Sequence, residues 1–87
     1  MRRISFASSF FDAIEATSSE LAEREWRDVS ACNLEIRAAV EWVCEQPGIG
    51  RSLCGGMHSH RLVHFPFSVI YEVTDGEIVF LYLASRR

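Results

Sequence analysis

Phe67-Ser68-Val69-Ile70-Tyr71-Glu72-Val73-Thr74, then Asp75-Gly76, then Glu77-Ile78-Val79-Phe80-Leu81-Tyr82-Leu83-Ala84 is the stretch that decides the fold. Both flanks are rich in β-branched and aromatic residues, which suit a pleated, half-buried surface. The Asp-Gly pair between them is a two-residue hairpin signal of the type I′ kind. The pattern predicts a strand over 67–74, a tight turn, and a strand over 77–84. The second strand is apolar on both sides. Strict alternation puts Ile78, Phe80 and Tyr82 on one face and Val79, Leu81 and Leu83 on the other.

Upstream, Phe65-Pro66 interrupts a further strand over Met57–His64, because proline cannot feed a ladder hydrogen bond. Gly55-Gly56 marks the switch from a period of 2 to a period of 3.6. Before it, Ile36, Ala39, Val40 and Val43 form one helical stripe, which predicts a helix over 31–45. Pro47-Gly48-Ile49-Gly50 ends that helix: proline removes a donor and the glycines permit positive φ. A first helix is expected over 9–26, with Ser8 or Ser9 as N-cap and Asp12 in the first turn. Residues 2–7 alternate as a short strand. The expected fold is α+β: strand, helix, helix, then an antiparallel three-stranded meander, with the helical pair packed on one sheet face. Two short helices cover one face of such a sheet. The other face either stays open as a partner site or is wrapped by the first helix.

Composition bounds the class of protein. With 87 residues there is room for one domain, spanning 1–87. Apolar residues are 48% and charged residues 24% of the chain, which suits a packed core rather than a disordered tail. No apolar run approaches the ~20 residues of a membrane helix. No apolar stretch of signal-peptide length follows Arg2-Arg3. Three cysteines cannot all pair, so a reduced, cytoplasmic protein is expected. The net charge is −3, and every cation is an arginine. Residues 1–45 hold five arginines against nine acids; residues 46–87 hold four against three, with all three histidines. A generally basic nucleic-acid binder is excluded, and any phosphate contact belongs to a local patch in the second half.

From Pro47 onward the chain resembles the RelE/ParE toxin superfamily, the toxin half of bacterial type II toxin–antitoxin pairs. Three pieces carry the resemblance: the helix end Pro47-x-x-Gly50; Phe65-Pro66-Phe67-Ser68-Val69-Ile70-Tyr71-Glu72-Val73; and the Asp75-Gly76 hairpin with Ile78-Val79-Phe80-Leu81-Tyr82-Leu83-Ala84 and the terminal Arg86-Arg87. The likeness covers about the last 40 residues; the first 45 agree in element order. Ala84 stands where the family often has a histidine, and Met57-His58-Ser59-His60-Arg61 where it often has an Arg-Arg pair. The resemblance implies a growth-inhibiting toxin of the kind tied to plasmid stabilization. It would be ParE-like, acting on DNA gyrase and held by a cognate antitoxin protein. The alternative is a RelE-like endoribonuclease that cuts messenger RNA on the ribosome. A second alternative is an inert, toxin-like binding domain.

Several residues carry the candidate chemistry. On a continuous strand His58, His60 and His64 share one face and Arg61 takes the other. Histidine exchanges protons near neutral pH, and arginine stabilises charge developing on phosphate. A nuclease would therefore use His58, His60, Arg61 and Arg86; the bland alternative is a solvated strand face. A zinc reading of His58, His60 and Cys54 lacks a fourth ligand and the paired Cys-x-x-Cys pattern, so no metal or other cofactor is expected. Arg51, His64 and Arg87 are candidate contacts to phosphate or to a partner's acids. Tyr71 and Tyr82 either place hydroxyls in a groove or form core edges. Of Phe80 and Leu81, one is expected under the helices and the other on the partner side.

Overall fold

The computed structural model describes residues 2–24 and 26–85. It consists of β1 (Arg3–Phe6), α1 (Ser8–Ala22), α2 (Trp26–Glu45), a 3-10 turn (Pro47–Ile49), β2 (Arg51–Ser52), β3 (Met57–Arg61), β4 (Phe67–Val73) and β5 (Glu77–Ser85). The strands form one sheet in the order β1-β5-β4-β3-β2. β1 runs parallel to β5, and the other pairs are antiparallel.

Two helices pack on one face, as expected, but their boundaries differ. α2 starts at Trp26 rather than near residue 31, and α1 ends at Ala22. The reason lies in the α2 stripe. Val29, Cys32, Ile36, Ala39 and Val43 recur at 3, 4, 3 and 4 residues and all join the core, so Val29 belongs to the second helix. Asp28 in its first turn suits the positive end of the helix dipole. Neither Ser8 nor Ser9 caps α1. The N-cap is Ala7, whose N–H donates to the Phe80 carbonyl at 2.9 Å, and no acid lies in the first turn. The chain is still paired to β5 when the helix begins. Ser9 Oγ instead donates to the Leu81 carbonyl at 2.6 Å.

The core is aromatic at the β1–β5–α1 junction. The Phe6 ring stacks on Phe80 at 5.2 Å, and Phe10 lies 5.8 Å from Phe80. Tyr71, Val69 and Phe80 are completely buried. In β5 the alternation breaks once. Ile70 pairs with Tyr82 but Tyr71 pairs with Phe80, so Leu81 is an extra residue, a β-bulge. Ile78, Phe80 and Leu83 consequently face the helices, and Tyr82 turns to the outer face, half exposed. Strict alternation had grouped Tyr82 with Ile78 and Phe80.

Three smaller expectations are corrected. The Asp75-Gly76 turn is not type I′, because neither residue has positive φ; Thr74 N–H donates to the Glu77 carbonyl at 2.9 Å. The positive-φ glycines are Gly55 and Gly56, which turn the chain between β2 and β3. Gly50 has extended backbone and is needed for close approach: a Cβ there would overlap the Tyr71 hydroxyl. β3 ends at Arg61, not His64, and the meander gains a fourth strand, β2.

Candidate functional site

β3 is the strand that carries the histidines, and its two faces lead to different surroundings. His58 lies opposite Tyr71 and His60 opposite Val69, so both share the inward side with those buried residues. Arg61 lies opposite Ser68 and is exposed on the outer side. The His58 ring stacks on Tyr71 at 5.2 Å with 13° between planes, and its Nδ1 is buried without a hydrogen-bond partner. His58 is thus half-buried against the core rather than displayed on an open strand face.

His64 leaves the strand altogether. Glu35 of α2 takes the amides of residues 63 and 64: its carboxylate accepts from Val63 N–H and, at 3.2 Å, from His64 N–H. The His64 ring Nδ1 is 3.3 Å from the same carboxylate, with the side chain mostly exposed. Those amides cannot also serve a ladder, which together with Pro66 ends β3.

Tyr71 is a core residue, not a groove hydroxyl. Its O–H donates to the Pro47 carbonyl at 2.8 Å and accepts from Gly50 N–H at 3.0 Å. Burial pushes the phenol up, and the Gly50 amide pulls it slightly down. It stays protonated and ties the end of α2 to the sheet. Phe80 is buried under α1, so the surface part of that pair is Leu81, half-buried, beside the exposed Tyr82.

A cleft of about 620 Å3 lies beside the end of β3. Register brings Arg61 of β3, Ser68 of β4 and Ala84 of β5 into one row, with Arg51 of β2 beside Ser59. Ile49, Leu53 and His60 complete the lining, and no carboxylate does. Two permanently charged guanidinium groups in a cleft free of acids attract an anion. His60 is the one histidine of the lining. The structure therefore brings Arg51, His60 and Arg61 together and leaves His58 and His64 outside. Arg86 and Arg87 lie outside the described residues. The contribution of β2 went unread, because two residues carry no period; its only signal is the glycine pair that turns the chain into β3.

The cysteines lie outside this cleft. Cys32 is buried and its thiol is pushed up to about 11, by burial first and then by Glu35 and Asp28. Cys44 is raised by burial and by Glu41 and Glu45. All three are free thiols. Among the described residues no three His, Cys, Asp or Glu side chains converge as metal ligands, so His58, His60 and Cys54 form no such site. No described helix is long and apolar enough to cross a membrane.

A strand, a helical hairpin, and an antiparallel run whose last strand returns beside the first make up a fold also found in two solved structures. The whole chain superposes on 98% of a chain from the "Chromosomal ParDE TA system from P. aeruginosa", with a TM-score of 0.86 and 19% identity. It also resembles the YoeB dimer structure from Staphylococcus aureus, at a TM-score of 0.57 and 19% identity over 93% of this chain and 92% of that one. No family model matches the sequence, and no curated protein matches it.

Proposed function

We propose that residues 1–87 form the toxin of a type II toxin–antitoxin pair, of the ParE-like kind. It binds DNA gyrase in the cytoplasm and is neutralised by a cognate antitoxin. The observation that carries this reading is the superposition over the whole chain on a ParDE-system chain, at a TM-score of 0.86 against 0.57 for YoeB. The cleft supports it. Ala84 offers no proton-transfer group, His58 is packed on Tyr71, and apart from His60 the remaining polar groups are binding groups. Arg51 and Arg61, with Tyr82 on the same outer face, form a surface that holds a large acidic target without cutting it.

One observation favours the ribonuclease reading: His60 and Arg61 share the cleft, which pairs a proton-exchanging group with a phosphate-binding one. Induction of the chain in bacteria separates the two. DNA synthesis followed beside translation is expected to fail first, with SOS induction and filamentation. Early translation arrest with cut messages would replace this reading by the nuclease. Unimpaired growth would leave an inert binding domain.

A further inference from the structure

α2 carries more apolar surface than the sheet covers. Its stripe from Val29 to Val43 joins the core, but Leu34, Ala38 and Trp42 recur every four residues on another side. Leu34 is 67% and Trp42 53% exposed. Beside them the 62–66 loop, held by Glu35, lifts Val63 into solvent at 82% exposure. Between loop and helix runs a groove of about 520 Å3 over Ala38, Ala39, Ile49 and Leu62. A large apolar side chain left in water at such a groove marks a contact surface.

The groove does not end at β3. Ile49, His60 and Arg61 line both it and the arginine cleft, so the two hollows meet there. Their charges differ in a directed way. Glu35 is the groove's one carboxylate, and it is occupied by the loop amides. Beyond it the permanently charged groups are Arg61 and Arg51, with His60 and His64 in the lining beside them. The surface therefore runs from apolar to cationic.

We infer that this continuous surface takes a peptide segment of a partner protein, with apolar anchors against Trp42 and Val63 followed by carboxylates over Arg61 and Arg51. That the partner is the antitoxin rests on the toxin reading; bound this way, it would cover the cleft used on the target. A second copy of the chain fits worse. Antiparallel pairing of two α2 stripes about Ala38 sets Glu41 opposite Glu35 of the other copy, like against like.

The test uses the full chain with Trp26→Phe, so that Trp42 is its one tryptophan. Two synthetic 12-residue peptides are titrated against its emission. Both carry two leucines one helical turn apart; one follows them with three aspartates, the other with three lysines. The aspartate peptide is expected to bind at least about tenfold more tightly. Arg61→Glu and Val63→Asp should each weaken it about tenfold or more, while Phe11→Ser on α1 should not. Equal affinities, preference for lysine, no binding up to about 1 mM, or indifference to both substitutions overturns the inference. So does concentration-dependent self-association abolished by Trp42→Arg, which would give the face to a second copy. Failure of the toxin reading looks different: induced cells grow normally while the peptide selectivity stands.

Discussion

The β4–β5 hairpin and the β3 edge with its 62–66 loop are neighbours held by different forces. In the hairpin, Val69, Tyr71 and Phe80 are completely buried, and Phe80 alone touches Phe6, Phe10 and Tyr71. Every residue of β3 is half-buried or exposed. Beyond its ladder with β4, the edge and the turn beside it depend on single polar contacts: Glu35 on the loop amides, and the Tyr71 hydroxyl between Pro47 and Gly50. The hairpin is fixed by apolar area, which is non-directional and large; the edge is fixed by a few directional bonds, each worth about 1 kcal/mol net. The candidate site sits on the second kind of region. Its arginines and histidines can therefore change without loss of the fold.

The largest expected effect breaks the hairpin. Phe80→Asp buries a carboxylate with no partner under α1, and should cost more than about 4 kcal/mol, enough to unfold a small domain. Tyr82→Asp, two residues on but across the bulge, should stay within about 1 kcal/mol. Urea unfolding followed by circular dichroism reads both. If Tyr82→Asp unfolds the chain as Phe80→Asp does, the bulge at Leu81 is misplaced and strict alternation holds.

The next effect lies at the join of the two regions. Gly50→Ala drives a Cβ into the Tyr71 hydroxyl and to 3.1 Å from the Ser59 carbonyl. A loss of about 2 kcal/mol is expected. Tyr71→Phe leaves the Pro47 carbonyl and Gly50 amide without their partner and should cost about 1–2 kcal/mol. Combined, they should lose less than the sum by about 1 kcal/mol, because the phenylalanine removes the atom that clashes. Additive losses would mean that the hydroxyl is not what holds Gly50.

The same contrast explains what the residues disclosed. The hairpin was legible because propensity, period and the Asp75-Gly76 signal agree. Its bulge was not, since a period of 2 has no mark for one extra residue at Leu81. The α2 start was misread because Val29 continues either helix equally well; packing on the sheet decides. Arg51 and Arg61 were visible as cations, but their sharing of one cleft follows from a two-residue strand. His64 seemed to extend the histidine face. It does not, because Glu35, 29 residues earlier, takes its amide. Contacts at such separation leave no local pattern.

The smallest effect tests that last contact. Glu35→Gln keeps one carbonyl acceptor for the loop but removes the charge that strengthens both amide bonds and faces the His64 ring. Since the amides are exposed, a local loss of about 1 kcal/mol is expected rather than the full value of a buried charged bond. His64→Ala should cost less than about 0.5 kcal/mol, because its own side chain is solvated and its ring contact with Glu35 is screened by water. Hydrogen exchange resolves where the loss falls. In Glu35→Gln the Val63 and His64 amides should exchange several-fold faster, while those of Val69 and Tyr71 keep their protection. Equal acceleration in both places would show that the loop and the hairpin open as one unit, and the division between an apolar hairpin and a latched edge would fail. Unchanged exchange at Val63 and His64 would take the latch away from Glu35 and give it to the burial of Leu62 and the backbone bonds of Leu62 and Phe65 with Phe67.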